Sequence, residues 1–281
     1  MLVAGVALLG WLLLFNRESI RMTYKTCGRI LALGFFAIYL TNAAESWGLC
    51  HLTSFKTCFL YSLSPFLSAA FAYLLLRERL NKRKWVGLAV GIIGFMPLLM
   101  HQSTTEQTIG GIFIFSWPEL SVLGAVVCSV YGWTILGQLV RSGVSPLVAN
   151  ALAMMFGGAI ALLHSLFVEN WNPIPVSNVL PYVGWTCLLI IASNIIAYNL
   201  YGHLLKRYSA AFLSFAGFST PFFTAILGWV FLHETVPLPY WITAGIVFTG
   251  LTIFYSSEQL TTKNRSAPRL NNALNKTHTQ A

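Results

Sequence analysis

Long apolar stretches alternate with short polar ones along almost the whole chain. A stretch of roughly 20 residues crosses a bilayer as a helix, because each residue adds about 1.5 Å. Eight stretches reach that length, at about residues 30–50, 53–76, 83–100, 119–140, 146–168, 180–203, 208–232 and 238–256. The pattern predicts an all-α, polytopic membrane protein.

A ninth apolar run extends from Met1 to about Asn16 and is shorter than a comfortable span. It has neither the charged start nor the small-residue cleavage site of a signal peptide. Two interpretations stay open: a tilted span in a thinned bilayer, or a helix belonging to a longer parent whose first helix is absent here. A ten-helix parent would place both termini in the cytoplasm.

Charge supplies the predicted orientation. Sixteen of the 17 Lys and Arg residues fall on one side of the predicted bilayer, and loops on the other side carry Glu106, Glu169 and Glu234. The positive-inside rule makes the basic side cytoplasmic. The net charge of +9 therefore describes topology in an inner membrane, not nucleic-acid binding. A polar C-terminal tail at 257–281 is expected to be disordered and cytoplasmic.

Composition agrees with a membrane protein and disfavours several classes of membrane enzyme. Charged residues make up 9% of the chain, against about a quarter in a soluble fold. The chain contains no Asp and no HExxH, GxSxG or P-loop motif, which disfavours membrane proteases, lipid-phosphate enzymes and ATPases. Its histidines are scattered singly. We expect no enzyme activity, no cofactor and no metal, with a small-molecule substrate and the lipid bilayer as partners; the oligomeric state stays open.

The chain also matches itself when residue 64 is aligned with residue 220, a pairing we call the repeat register. In this register segment 64–94 aligns without a gap on segment 220–250, with seven identities against roughly two expected by chance. The identical pairs are Pro65/Pro221, Phe66/Phe222, Ala69/Ala225, Leu76/Leu232, Glu78/Glu234, Trp85/Trp241 and Gly94/Gly250. By the charge argument the two copies have opposite orientations, and inverted repeats are typical of secondary transporters. The predicted division is 1–100 for an incomplete first repeat, 101–118 for an external connection, and 119–256 for the second.

The paired prolines, the glutamate after each proline helix and the glycine-rich last helix of each half resemble the drug/metabolite transporter superfamily, in particular its EamA-type members. The stretch NAAESWGLCHLTSFKTCFLYSLSPFLSA (42–69) is similar to the S-adenosylmethionine/S-adenosylhomocysteine porters of bacteria that live inside host cells. The resemblance implies uptake of S-adenosylmethionine by alternating access. An exporter of amino acids or other metabolites, or a membrane scaffold that transports nothing, remains the alternative.

Polar residues inside the spans predict the substrate site. A membrane-embedded carboxylate is costly unless it is paired or hydrated, so Glu45 marks a site. Lys56, on the next helix at similar depth, is the expected partner of Glu45, either in a structural ion pair or as its resting partner in a cavity. Pro65 and Pro221 are predicted as mid-helix kinks, either ordinary or at a hinge. Asn194, Tyr198 and Tyr201 are spaced i, i+4, i+7 and share a helical face, and Asn42 shares the face of Glu45. These residues either hydrogen-bond neighbouring helices or line a pore. Trp133 and Tyr131 join them either in stacking on a nucleoside-like group or in ordinary aromatic packing.

Overall fold

The structure is a computed structural model that describes residues 1–15, 23–76, 82–94, 96–100, 104–169, 171, 176, 178–208, 213, 217, 220–233 and 237–254. The predicted tail at 257–281 and both glutamates of the repeat, Glu78 and Glu234, lie outside these residues.

Helices account for most of the described chain. They are α1 (Leu2–Phe15), α2 (Tyr24–Leu49), α3 (Ser54–Tyr61), α4 (Ser64–Leu76), α5 (Lys82–Gly94), α6 (Met96–Met100), α7 (Thr104–Ile109), α8 (Trp117–Arg141), α9 (Pro146–Val168), α10 (Val179–Leu204), α11 (Thr220–Leu232) and α12 (Leu238–Phe254). Strands β1 (Gly111–Ile112) and β2 (Phe115–Ser116) form an antiparallel hairpin before α8.

The apolar character of the helix surfaces fits a membrane. Within the described residues, α2, α8, α9 and α10 are each long and apolar enough to cross one, and α1, α5, α11 and α12 contain shorter apolar segments. Large apolar side chains face outward, among them Phe167 at 88% and Leu180 at 85% exposure. A water-soluble monomer rarely exposes so much contiguous apolar surface. The predicted all-α, polytopic membrane protein is confirmed at this level.

The predicted span at 53–76 is interrupted. It forms two helices, α3 and α4, separated by a turn at Ser62–Leu63. Hydropathy detects the apolar run but is insensitive to a short break in the backbone hydrogen bonds, because the side chains on both sides remain apolar. The stretch 83–100 contains α5 and α6, and residue 95 between them lies outside the described residues.

Helices α2 and α10 share an unusual feature, a π-helical segment in the middle of a long span. These segments are Gly34–Leu40 in α2 and Ile190–Ala197 in α10. A π-helical turn holds more residues than an α-helical turn, so it shifts the faces that the following residues present. Thr41 stabilises the end of the first segment by donating its hydroxyl to the carbonyl oxygen of Phe36 at 2.8 Å.

Helix α8 is the centre of the molecule and contacts α2, α3, α4, α9 and α10. Two apolar clusters pack around it. One contains side chains of α1, α2, α9 and the C-terminal half of α8, and the other contains side chains of α3, α12 and the N-terminal half of α8. The cavity described below lies where these two clusters meet.

Glycines allow two pairs of helices to approach closely. A Cβ added to Gly250 of α12 would lie 2.7 Å from the backbone nitrogen of Gly91 and 2.9 Å from the carbonyl oxygen of Gly87, both in α5. A Cβ on Gly34 of α2 would lie 2.7 Å from the carbonyl oxygen of Ala153 in α9. Small residues at such crossings let membrane helices pack through their backbones.

Candidate substrate-binding site

A cavity of about 330 Å³ opens beside the middle of α8. Side chains from α2, α3, α4, α8 and α10 line it, together with residues preceding or beginning α11. The lining consists of Glu45, Cys58, Tyr61, Ser62, Ser64, Ser68, Ser129, Val130, Trp133, Tyr201, Leu213, Gly217 and Thr220. Its volume falls at the lower end of the range for small-molecule sites, and its mixture of aromatic, apolar and hydroxyl groups is typical of them.

Glu45 is the one charged side chain among these lining residues. It belongs to the last α-helical segment of α2, Thr41–Leu49. The Tyr61 hydroxyl donates a hydrogen bond to Oε2 of Glu45 at 2.8 Å. A carboxylate that accepts one hydrogen bond has further lone pairs for a ligand, so Glu45 is equipped to meet a cationic group.

Two aromatic rings, those of Trp133 and Tyr201, also line the cavity, and the ring of Tyr198 packs beside them. The Trp133 ring lies 4.2 Å from that of Tyr201 and 5.1 Å from that of Tyr198, measured between centroids. The indole nitrogen of Trp133 donates to the Ser129 hydroxyl at 3.0 Å, which fixes the ring on α8. Rings at these distances stabilise one another and leave a flat apolar surface for a planar ligand.

The remaining predicted residues on α2 and α10 have other surroundings. Asn42 donates to the Ile38 carbonyl oxygen at 2.7 Å and lies within hydrogen-bonding reach of the Tyr198 hydroxyl. Asn42 lines a second cavity of about 420 Å³ together with residues of α9.

Asn194 is 1% exposed, and its Oδ1 has no hydrogen-bond partner among the described residues. Asn194 lies within the π-helical segment Ile190–Ala197, and neither Asn194 nor Tyr198 is among the residues that line the first cavity.

The predicted ion pair between Glu45 and Lys56 is wrong. Nζ of Lys56 instead lies 2.5 Å from Oε1 of Glu106 and 2.7 Å from Oε1 of Glu119. Lys56 is near the start of α3, level with the segment before α8, whereas Tyr61 at the end of α3 reaches Glu45. Two carboxylates compensate a buried ammonium better than one, which explains the preference of Lys56 for this position.

The Lys56–Glu106–Glu119 cluster is buried, with side-chain exposures of 5%, 3% and 0%. Glu106 was expected in a loop, but it belongs to the short helix α7 and is buried; its position on the outer side stays a prediction. Glu119 also caps α8, because its Oε2 accepts a hydrogen bond from the Ser116 backbone N–H at 2.7 Å. The other carboxylate oxygen of Glu119, Oε1, is thereby left to face Lys56.

Pro65 differs from the predicted mid-helix kink, because it is the second residue of α4 and follows the Ser62–Leu63 turn. A proline in the first turn of a helix costs no backbone hydrogen bond, so Pro65 begins a new helix and does not bend a continuous one. Residues 218 and 219, before Pro221 and Thr220, lie outside the described residues, so the kink at Pro221 stays a prediction. Tyr131 lies against Phe36 and Phe71, with centroid distances of 5.0 and 6.1 Å, and is not among the residues that line the first cavity.

Sequence reasoning overlooked several residues that line the cavity, above all Tyr61 and the serines on either side of Pro65. The available signal was the position of Pro65 itself. Polar side chains that flank an interrupted membrane helix are candidates for a cavity lining, because irregular backbone at membrane depth is tolerated where it lines one.

Comparison with known proteins identifies the family. A model of the EamA-like transporter family matches residues 1–100 and 116–256. The chain belongs to the EamA-like transporter family. The expectations of an EamA-type transporter, and of a protein that is not an enzyme, are confirmed.

Individual relatives support the same assignment. The chain is 37% identical over 260 residues to the S-adenosylmethionine/S-adenosylhomocysteine transporter of Chlamydia muridarum, covering 92% of this chain and 81% of the relative. It is also 37% identical to the transporter of the same name from Chlamydia trachomatis serovar L2, covering 92% and 79%. The uncharacterized transporter YetK of Bacillus subtilis is 22% identical, with coverage of 90% and 75%.

A solved crystal structure has a similar fold. It is 17% identical to this chain, with a TM-score of 0.62 and coverage of 89% of this chain and 83% of the other. At this identity the likeness concerns the fold alone.

Proposed function

We propose that this EamA-like transporter moves S-adenosylmethionine across the inner membrane as a secondary active transporter, with S-adenosylhomocysteine as its exchange partner. The cavity that contains Glu45 and Trp133 is the proposed binding site. The observation that carries the proposal is the combination of one carboxylate with an aromatic cluster in a single cavity. The names of the two chlamydial relatives support the same substrate.

The chemistry of the ligand suits this combination. S-adenosylmethionine carries a sulfonium and an ammonium group at one end and a flat adenine at the other. Glu45 offers the negative charge, and the Trp133 and Tyr201 rings offer a stacking surface. Hydroxyls of Ser64, Ser68 and other lining residues are available to the ribose and the carboxylate of the ligand.

We further propose that the fold is an inverted repeat in the register found by aligning the chain with itself. The described parts of α4 and α11, Ser64–Leu76 and Thr220–Leu232, are helical over equivalent positions of that register. The π-helical segments of α2 and α10 also begin at equivalent positions, Gly34 and Ile190. Two long π-helical segments are too rare for their matching positions to be incidental.

Corresponding positions of the two repeats meet at the cavity. Three pairs that are equivalent in the repeat register line it together: Glu45 with Tyr201, Tyr61 with Gly217, and Ser64 with Thr220. In addition, Asn42 is within hydrogen-bonding reach of Tyr198, its own equivalent in the second half. Equivalent residues that meet lie near the axis relating the two halves, and substrate sites of inverted-repeat transporters lie near such an axis.

Alternating access follows from this arrangement. We propose repeats at 1–100 and 119–256, joined by an external connection at 101–118, with basic helix ends and the C-terminus in the cytoplasm. The two segments matched by the family model support the two-repeat division. The break before Pro65 is one proposed hinge, because a helix that is already interrupted can reorient without losing a continuous series of backbone hydrogen bonds. Pro221, the equivalent of Pro65 in the repeat register, is the proposed hinge of the second half. Asn42, Asn194 and Tyr198 remain proposed substrate contacts of a second conformation, and Lys56 is no longer needed for this role.

Uptake tests the function. Cells that express the chain are given labelled S-adenosylmethionine, with unlabelled S-adenosylhomocysteine, amino acids or nucleosides as competitors. Saturable uptake suppressed by S-adenosylhomocysteine alone is the expected result. Suppression by amino acids would favour the alternative, a transporter or exporter of amino acids, and no uptake by a correctly inserted chain would favour a scaffold.

A further inference from the structure

Tyr61 lines the cavity, and the proposed function assigns it no role. Its hydroxyl donates to Oε2 of Glu45 at 2.8 Å, and among the described residues it is the hydrogen-bond donor that Glu45 has. Both side chains line the cavity. The Tyr61 hydroxyl therefore controls the direction in which Glu45, the charged group among the described lining residues, presents its second carboxylate oxygen.

The backbone of α3 holds Tyr61 in a fixed position. Tyr61 is the last residue of α3. The opposite end of this short helix is anchored by Lys56 in the buried cluster with Glu106 and Glu119. Its middle is joined to α11, because the Thr224 hydroxyl donates to Sγ of Cys58 at 3.3 Å. A side chain supported in this way positions its partner precisely enough for recognition, whereas an unsupported carboxylate would sample several rotamers.

The second half of the molecule has no equivalent of this pair. In the repeat register, the positions equivalent to Glu45 and Tyr61 are Tyr201 and Gly217, and both line the same cavity. The carboxylate of the cavity therefore belongs to the first half, and its aromatic pole, the paired rings of Trp133 and Tyr201, belongs to the second half. A ligand with a cationic end and a flat aromatic end has one favourable orientation in such a cavity.

Building on the proposed function, we propose that Tyr61 is a positioning residue that sets the preference for a cationic sulfonium ligand over its neutral thioether, and that it acts through Glu45. S-adenosylmethionine and S-adenosylhomocysteine differ by one methyl group and the positive charge that it brings. Their adenine, ribose and amino-acid parts are the same. A group that only shapes the cavity affects both ligands alike, whereas a group that aims Glu45 at the sulfonium affects S-adenosylmethionine selectively.

Binding to the purified full-length chain tests this assignment. Dissociation constants for both ligands are measured by calorimetry with wild type, Tyr61→Phe, Glu45→Gln and the double variant. Tyr131→Phe is the matched control, because it removes a hydroxyl from a tyrosine outside the cavity lining. Tyr61→Phe is expected to lower the preference for S-adenosylmethionine about tenfold, which corresponds to about 1.4 kcal/mol, while Tyr131→Phe leaves it unchanged.

The double variant separates positioning from cavity shape. Since Tyr61 acts through Glu45, Tyr61→Phe added to Glu45→Gln should leave the ratio of the two dissociation constants at the value of Glu45→Gln alone. An equal loss for both ligands with Tyr61→Phe, or a further change of the ratio in the Glu45→Gln background, would overturn the inference. Failure of wild type to bind either ligand would instead reject the proposed function.

Discussion

Replacement of Lys56 by methionine tests the most buried charges in the structure. The substitution keeps the length of the side chain and removes the ammonium between Glu106 and Glu119, whose side chains are 3% and 0% exposed. Breaking a buried ion pair by removing one partner costs about 3–5 kcal/mol, because the remaining charge is left uncompensated. Here two carboxylates lose the same partner, so we expect Lys56→Met to lower the free energy of unfolding by at least about 3 kcal/mol, or more than a hundredfold in the folding constant.

The triple variant Lys56→Met, Glu106→Gln and Glu119→Gln provides a second test of the effect of the buried charges on stability. Replacing a complete buried ionic cluster by neutral groups is often close to neutral for stability. Glutamine at position 119 also preserves the cap of α8, since Glu and Gln serve equally in a capping box. The triple variant should therefore recover at least half of the stability that Lys56→Met loses.

Denaturant unfolding of the purified protein in detergent, followed by tryptophan fluorescence, measures these differences. Lys25→Met is the control, because Lys25 is exposed at the start of α2 and its loss should change stability by no more than about 0.5 kcal/mol. The account is refuted if Lys56→Met is as stable as Lys25→Met, or if the triple variant is less stable than Lys56→Met.

Two further predictions concern the aromatic pole and the α5–α12 crossing. Trp133→Ala should weaken binding of S-adenosylmethionine about 10- to 100-fold, because stacking of one base on an aromatic ring contributes about 1–3 kcal/mol. Trp133→Phe keeps an aromatic ring and should weaken binding less. Equal losses of affinity for the two variants in calorimetry would contradict a stacking role. Gly250→Ala should destabilise the protein by about 1–3 kcal/mol, because the added Cβ would meet the backbone of α5. Gly245→Ala is the control and should be neutral or stabilising, because nothing lies within 4 Å of its added Cβ. Unfolding in detergent measures the difference between the two variants.

The membrane fold could be predicted well from the sequence, because the length of an apolar stretch is the property that decides whether a helix can span a bilayer. Helices α2, α8, α9 and α10 each coincide with a predicted span to within a few residues at most boundaries. Helix breaks were harder to predict. The turn at Ser62–Leu63 leaves no mark in the hydropathy, and Pro65 indicated an irregularity without showing on which side the helix would end.

The site was predicted in part, and the errors have physical causes. Glu45, Trp133 and Tyr201 do line one cavity. Lys56 did not pair with Glu45, because similar depth in the membrane does not determine which neighbour a side chain faces, and Glu106 of α7 and Glu119 of α8 pair with Lys56 instead. Asn194 is absent from the lining of this cavity and stays a prediction, and the sequence gives no indication of the π-helical segment Ile190–Ala197 that contains it.

Tyr61 was overlooked because its importance depends on tertiary structure. It is one of several tyrosines, it carries no charge, and no spacing relates it to Glu45, which lies on the preceding helix. Only the repeat register, applied to every polar position, would have shown that Tyr61 and Gly217 are equivalents near the paired prolines. Internal repeats thus carry information about sites as well as about fold.

The central claim is that Glu45 binds the substrate in the cavity, and transport by a single variant tests it most directly. Uptake of labelled S-adenosylmethionine is compared for wild type, Glu45→Gln and Glu169→Gln, each normalised to the amount of chain inserted in the membrane. Glu169 is an exposed glutamate at the end of α9, outside the lining of this cavity, and serves as the matched control. The account predicts that Glu45→Gln abolishes uptake without reducing insertion, while Glu169→Gln transports normally. Unimpaired uptake by an inserted Glu45→Gln variant would contradict it.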